Sequence, residues 1–128
     1  MQYGGNDILT SAPELPATIL ADYCYSIMFI GCAGLTEAPV LPAMSLSDYC
    51  YYGMFAFCTG LTDVPALPAT NLAEHCYEMM FYGCTSLTTA PAQLPAATLA
   101  NDCYNHMFGN TNLGSAPELP ATTLAERC

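Results

Sequence analysis

Apolar and polar positions recur along the chain in a repeating pattern, and each repeat contains two apolar elements. The first element is proline-rich and reads Leu-Thr-Glu-Ala-Pro-Val-Leu-Pro at residues 35–42. Two prolines three residues apart exclude a continuous helix, so this element is predicted to be a short extended strand. Further copies begin at residues 9, 61, 87 and 113.

The second element predicts a short helix. Its apolar side chains recur at i, i+4, i+5, i+8 and i+9, which is the spacing of one helical face. In the second copy these side chains are Leu46, Cys50, Tyr51, Met54 and Phe55. Residues suited to cap a helix stand at its start, because Ser45 lies three residues before Asp48 and Asn71 three before Glu74.

The whole chain is built from these copies. One copy cannot bury its own apolar face, but stacked copies can. We therefore predict a single repeat solenoid, an α/β coil stack with short parallel strands and short helices, right-handed as parallel crossovers are. Its units are a half repeat at 1–8, full repeats from residues 9, 35, 61 and 87, and a partial repeat at 113–128. The expected core ladder consists of Leu35, Leu61, Leu87, Met28, Met54, Met80, Met107, Phe29, Phe55, Phe81 and Phe108.

Charge restricts the partners of this chain. It has eleven Asp and Glu residues, a single basic residue (Arg127) and a formal net charge of −10. Nucleic acids and anionic membrane surfaces are bound through Lys and Arg, so neither is expected as a partner. No apolar run approaches the roughly 20 residues of a membrane span, so no membrane insertion is expected. A signal peptide is expected to be absent or already removed, since no charged segment followed by an apolar stretch opens the chain.

A motif at the junction of the two elements carries a family resemblance. It reads Met-Phe-x-x-Cys-x-x-Leu-Thr at residues 28–36, and it recurs at 54–62 and 80–88. The chain resembles the BspA-like leucine-rich repeats of bacterial surface proteins, in their mycoplasma-type variant of about 26 residues per repeat. The resemblance implies an LRR-like fold and a surface-exposed module that binds a protein or the extracellular matrix. It does not name a ligand.

Eight cysteines occupy two positions of the repeat. The first position holds Cys24, Cys50, Cys76, Cys103 and Cys128, and the second holds Cys32, Cys58 and Cys84. This even count at regular spacing favours disulfides and an oxidising, extracellular or cell-surface location. Bridges within repeats would pair Cys24–Cys32, Cys50–Cys58 and Cys76–Cys84, and would leave Cys103 and Cys128 at stacked equivalent positions, where they could pair with each other. Bridges between repeats would pair Cys32–Cys50, Cys58–Cys76 and Cys84–Cys103. Buried thiols that pack as small apolar side chains are the alternative to both.

No catalytic, cofactor or metal site is expected. The two histidines, His75 and His106, stand at different positions of the repeat, and neither has the spacing of a metal motif. Acidic residues recur near the first turn of each predicted helix, at Asp22, Asp48, Glu74, Asp102 and Glu126. They suit helix N-terminal electrostatics and solubility better than a calcium site or a basic partner.

Two functions follow from the repeat pattern, and neither is enzymatic. The first is a secreted or cell-surface recognition or scaffold module. The second is a structural subunit that stacks head to tail into an extracellular filament. The filament hypothesis rests on the repeat positions of the two termini, because Met1 aligns with Ile27 and Cys128 with Cys24. Polar residues near both ends, such as Asn6 and Asn110, resemble solenoid caps and weaken it.

Overall fold

The computed structural model describes residues 8–128, and in these residues it contains no helix and no sheet. Strand-like pairing among the described residues is confined to five isolated parallel bridges, which join Ser11 to Glu37, Ser45 to Asn71, Asp63 to Thr89, Gln93 to Glu118 and Thr98 to Thr123. The prediction of an LRR-like α/β solenoid with short strands and short helices is therefore wrong. The half repeat predicted at 1–8 lies almost entirely outside the described residues.

Continuous chains of tight turns replace the predicted helices. They cover residues 22–31, 48–57, 74–83 and 101–110. Within the first of them, every second amide donates to the carbonyl three residues back, as in Cys24 to Ala21 at 3.2 Å and Ser26 to Tyr23 at 3.1 Å. The bond that closes each turn is thus that of a β-turn, and successive turns overlap by two residues.

The amides between these turn-closing ones bond to the next repeat. Tyr23, Tyr25, Ile27, Phe29 and Gly31 donate to the carbonyls of Asp48, Cys50, Tyr52, Met54 and Ala56, at 2.8–3.0 Å. The same five-bond series joins residues 49–57 to 74–82 and residues 75–83 to 101–109. A helix would use all of these donors internally. The helix prediction fails because half of the amides donate hydrogen bonds to the neighbouring repeat. These bonds stack the repeats in parallel register.

Left-handed backbone conformations recur at every fourth residue of the turn segments. They fall on Tyr23, Ile27 and Gly31 in the first segment, with φ values of 60°, 51° and 69°. Ten non-glycine residues adopt positive φ in the described chain. Such a conformation costs an L-residue about 1–2 kcal/mol and interrupts a right-handed helix. The inter-repeat hydrogen bonds and the core packing hold these residues in place against that cost.

The same four-residue period builds the core. In the second repeat Cys50, Tyr51, Met54, Phe55 and Cys58 are almost completely buried. Of the residues between these pairs, Gly53 and Ala56 are also buried, Tyr52 is half-buried and Phe57 is exposed. Equivalent aromatic rings stack in columns between repeats. The Phe column has ring centroids 5.5–5.6 Å apart, and the Tyr column 5.7–6.1 Å. Of the predicted ladder, Phe108 is half-buried and the others are buried: Leu35, Leu61, Leu87, Met28, Met54, Met80, Met107, Phe29, Phe55 and Phe81.

The proline-rich segments close the other side of the core. Their second leucine is buried in four of the five copies, at Leu15, Leu41, Leu67 and Leu94, but Leu119 is 56 % exposed. They contact their neighbours through the isolated bridges, because each proline removes an amide donor from any ladder. One continuous cluster of buried residues runs through all the repeats.

The described chain has no membrane-spanning helix. Between residues 8 and 128 nothing forms a helix of the length and apolar character that a bilayer requires.

Candidate functional site

The cysteines form two columns of thiols, and no disulfide joins any two of them in the described residues, which include all eight. None of the pairings considered from the sequence is present. Six of the eight thiols are buried in the core. Two of these donate to the backbone of the preceding repeat: the Cys58 thiol to the Phe29 carbonyl and the Cys84 thiol to the Phe55 carbonyl, each at 3.0 Å. The columns therefore contribute packing and inter-repeat hydrogen bonds.

Burial makes most of these thiols poor nucleophiles. It raises the pKa of Cys50, Cys58 and Cys84 to about 12, and it also raises the pKa of Cys76. The reactive form of cysteine is the thiolate, so these side chains offer no catalytic group near neutral pH. Only Cys24, which is exposed, and Cys128, which is half-buried, are open to solvent.

The residues predicted to cap helices instead connect repeats. Asp22 accepts a hydrogen bond from the backbone amide of Asp48, and Asp48 from that of Glu74, each at 3.1 Å. The Asn71 side-chain amide donates to the Ser45 hydroxyl at 2.9 Å. Because no helix is present, the prediction of helix N-terminal electrostatics at these acids is wrong. The carboxylates of Asp22 and Asp48 instead accept hydrogen bonds from backbone amides of the following repeat.

Asp102 and the two histidines have different environments. Asp102 is buried and paired with Arg127, whose hydrogen bond lowers the pKa of that carboxyl. His75 lies beside Asp102 and is half-buried. His106 is exposed and makes an edge-on contact with the Tyr82 ring.

An apolar groove lies between the proline-rich segments of the first two repeats. We call it the proline groove. Its volume is about 390 Å³, and its walls include Pro13, Pro16, Pro39, Val40 and Pro42. A second depression of about 360 Å³ continues from it and shares Thr18 and Pro42, and Ile19 and Met44 line this part. Together they form one continuous apolar surface.

Three large apolar side chains on this surface are exposed to solvent: Ile19 at 92 %, Val40 at 76 % and Met44 at 50 %. Each replaces a smaller or more polar residue of the other repeats. At the position of Ile19 the other repeats have Ser45, Asn71, Thr98 and Thr123. At the position of Val40 they have Glu14, Ala66 and Glu118. At the position of Met44 they have Thr18, Thr70, Ala97 and Thr122. These three residues were not among the expected site residues, although a comparison of equivalent positions across the repeats distinguishes all three.

The groove offers hydrogen-bond acceptors and negative charge. Proline has a backbone carbonyl but no amide, so the proline walls can accept hydrogen bonds but cannot donate them. Glu14 adds a carboxylate to the lining. The only Lys or Arg of the chain, Arg127, is in the last repeat and paired with Asp102.

Comparison of the chain with models of protein families, with curated proteins and with solved structures yields no match.

Proposed function

We propose that this chain is a non-enzymatic recognition module, and that it binds a partner protein through the proline groove. One observation carries the proposal: Ile19, Val40 and Met44 expose large apolar side chains together, at repeat positions that are small or polar elsewhere. Exposed apolar surfaces rimmed by polar residues are typical of protein-binding sites. The proposal includes display outside the cell, and the Met-Phe-x-x-Cys motif resembling surface-protein repeats supports that part.

The chemistry of the groove favours an extended partner segment that combines aliphatic and basic side chains. Aliphatic side chains suit the walls formed by the prolines and Val40. Lys and Arg side chains are donors without acceptors, which complements a surface of carbonyls and the Glu14 carboxylate. A chain with a net charge of −10 also attracts a basic segment over longer distances.

Binding of synthetic peptides to the full chain tests the proposal. The probes are short extended peptides in which Val or Leu alternates with Lys or Arg, and their counterparts with Glu in place of the basic residues. We expect binding of the basic set only, with an affinity that falls as salt is added, because salt screens exposed charges. The measurement is fluorescence anisotropy of the labelled peptide.

Two substitutions with matched controls locate the site. Val40→Asp should abolish peptide binding, whereas Ala66→Asp places the same carboxylate at the same position of the next repeat, outside the groove. Glu14→Gln should weaken binding of the basic peptides, whereas Glu118→Gln changes the equivalent residue of the last repeat and should not. Equal effects within either pair would exclude the groove as the site. Absence of peptide and protein binding altogether would refute the recognition function.

A second candidate function is self-association, and a different surface favours it. Leu119 is 56 % and Leu124 71 % exposed, whereas the equivalent Leu41 and Leu46 in the second repeat are 2 % and 9 % exposed. Residues 113–128 thus present to solvent a face that is covered in the second repeat. A second copy of this chain, stacked in the same register, would cover it and could extend into a filament.

A further inference from the structure

A polar cluster in the third, fourth and fifth repeats is independent of the proline groove. It occupies a column that begins with stacked rings: Tyr23 lies on Tyr49 at 4.7 Å between centroids, and Tyr49 lies on His75 at 4.3 Å. The next residues in this column are Asp102 and Arg127. The column therefore changes from aromatic to ionisable at His75.

Three groups able to bind a metal converge at this point. Nδ1 of the His75 ring contacts Oε2 of Glu78, and Nε2 of the same ring lies 3.8 Å from Oδ2 of Asp102. One ligand atom from each of the three residues lies within 4.8 Å of the other two. The His75, Glu78 and Asp102 side chains are 23 %, 15 % and 3 % exposed, so the cluster is largely shielded from solvent.

Neighbouring groups hold the potential ligands in place. The Asn105 side-chain amide donates to Oε1 of Glu78 at 3.2 Å and to Oδ1 of Asp102 at 3.1 Å. The Tyr49 ring fixes the plane of the His75 imidazole, at an angle of 12° between the rings. Metal sites depend on this kind of outer support, because it sets the orientation of the ligands.

We propose that His75, Glu78 and Asp102 form a binding site for one divalent transition-metal cation of the Zn²⁺ class. An imidazole with two carboxylates is a ligand set that Zn²⁺ and Co²⁺ accept, and it leaves coordination positions for water. The cation would enter between the imidazole and the two carboxylates and replace the hydrogen bond between His75 and Glu78. No cysteine belongs to the cluster.

Arg127 regulates the strength of this site. Its Nε and Nη2 donate to the two oxygens of Asp102 at 2.8 and 2.9 Å. Oδ1 of Asp102 already accepts from both Arg127 and Asn105, but among the described residues Oδ2 accepts only from Arg127 and keeps a second lone pair, through which Asp102 can bind a cation without releasing Arg127. The guanidinium charge repels the cation, and the Arg127 side chain, which is 66 % exposed, is able to move away. We therefore expect Arg127→Gln to tighten binding.

Titration of the full chain with Co²⁺ tests the proposal. Bound Co²⁺ reports its ligands, because thiolate coordination gives intense near-ultraviolet charge-transfer bands and nitrogen and oxygen ligands do not. We expect one Co²⁺ per chain without thiolate bands, and competition by Zn²⁺. His75→Gln and Glu78→Gln should each weaken binding more than tenfold, while His106→Gln, which removes the other histidine, should bind as the unmodified chain does.

Three results would overturn the proposal. They are Co²⁺ affinity in both His75→Gln and Glu78→Gln equal to that of the unmodified chain, thiolate bands in the bound spectrum, and no binding at millimolar Co²⁺. Near-ultraviolet circular dichroism of the stacked tyrosines checks that each variant is folded. Having two ligand variants keeps the test decisive if one of them unfolds.

Discussion

Single atoms limit how closely neighbouring repeats can stack, and Gly60 shows this most clearly. A Cβ atom built on Gly60 would lie 2.3 Å from the carbonyl oxygen of Ala33 in the preceding repeat. The obstacle is a backbone atom, so no side-chain rotation removes it. Gly60 has an ordinary φ, and its requirement for glycine is therefore one of space alone.

Gly60→Ala is expected to destabilise the fold by about 1–3 kcal/mol, the usual cost of forcing an extra carbon into a packed site. Gly114→Ala is the matched control, because a Cβ there meets no atom within 4 Å. Chemical denaturation of both variants measures the change in the free energy of unfolding. A loss in Gly60→Ala no greater than in Gly114→Ala would mean that the first two repeats can separate freely at this point.

At the level of the repeated element, two structures compete for the same apolar spacing. Leu46, Cys50, Met54 and Cys58 are each four residues apart. A helix turns 100° per residue, so residues four apart drift by about 40° at each step, and by about 120° over this run. Consecutive turns that overlap by two residues keep the same residues on one side without drift. The four-residue spacing was thus visible in the sequence, but the ten residues 46–55 that indicated a helix are too few to distinguish a helix from overlapping turns.

Much of the remaining fold could be predicted from the sequence, and its limits have a physical reason. The repeat itself indicated which side chains align between copies, and all members of the Leu, Met and Phe ladder except Phe108 are buried. The hydrogen-bond partners of the backbone amides could not be predicted, because every residue except proline carries the same amide donor. Only the position of the neighbouring repeat decides which carbonyl accepts from it. The cluster around His75 was missed because Asp102 lies 27 residues from His75 in the chain, and only the stacking of the repeats brings the two together.

Thiol reactivity tests the arrangement of the turn segments. In the native chain at pH 8, iodoacetamide should modify Cys24 and Cys128 and leave the buried cysteines intact, because thiolates alone react and burial raises the pKa of Cys50 and Cys58 to about 12. Peptide mass mapping gives the modified positions, and denaturant should expose all eight.

The raised pKa values of the buried thiols also fix how the stability of the fold depends on pH. A pKa that is higher in the folded chain favours folding while the thiol is protonated. This contribution is complete below the unfolded value of about 8.5 and is lost as the pH rises towards 12. We therefore expect the melting temperature to fall above about pH 9 under reducing conditions. Native labelling of Cys58 or Cys84 at the rate of Cys24 would contradict the buried columns.

The whole molecule is a stack in which each repeat depends on its neighbours for hydrogen bonds and for cover of its core. The turn segments 48–57 and 74–83 each lie between two others, and their central rings Tyr51, Phe55, Tyr77 and Phe81 are buried. Leu119, Leu124 and Tyr23, in the last and first repeats, are exposed. The proline groove is on the side of the first two repeats and the polar cluster in the last three. The geometry therefore allows recognition, metal binding and self-association to use separate surfaces.

Self-association is decided by the mass of the chain in solution as its concentration increases. If the exposed face of residues 113–128 stacks on a second copy, light scattering on a size-exclusion column under reducing conditions should show a mass that grows with concentration. Leu124→Ser should then reduce the mass to that of one chain without lowering the melting temperature, because Leu124 is already 71 % exposed. Val40→Ser is the control: it removes a branched side chain of similar exposure, 76 %, from the proline groove, and should assemble as the unmodified chain does. Two outcomes would exclude stacking through this face: a chain that stays monomeric at every concentration, and a Leu124→Ser variant that still assembles. Either outcome would leave recognition through the groove as the proposed function.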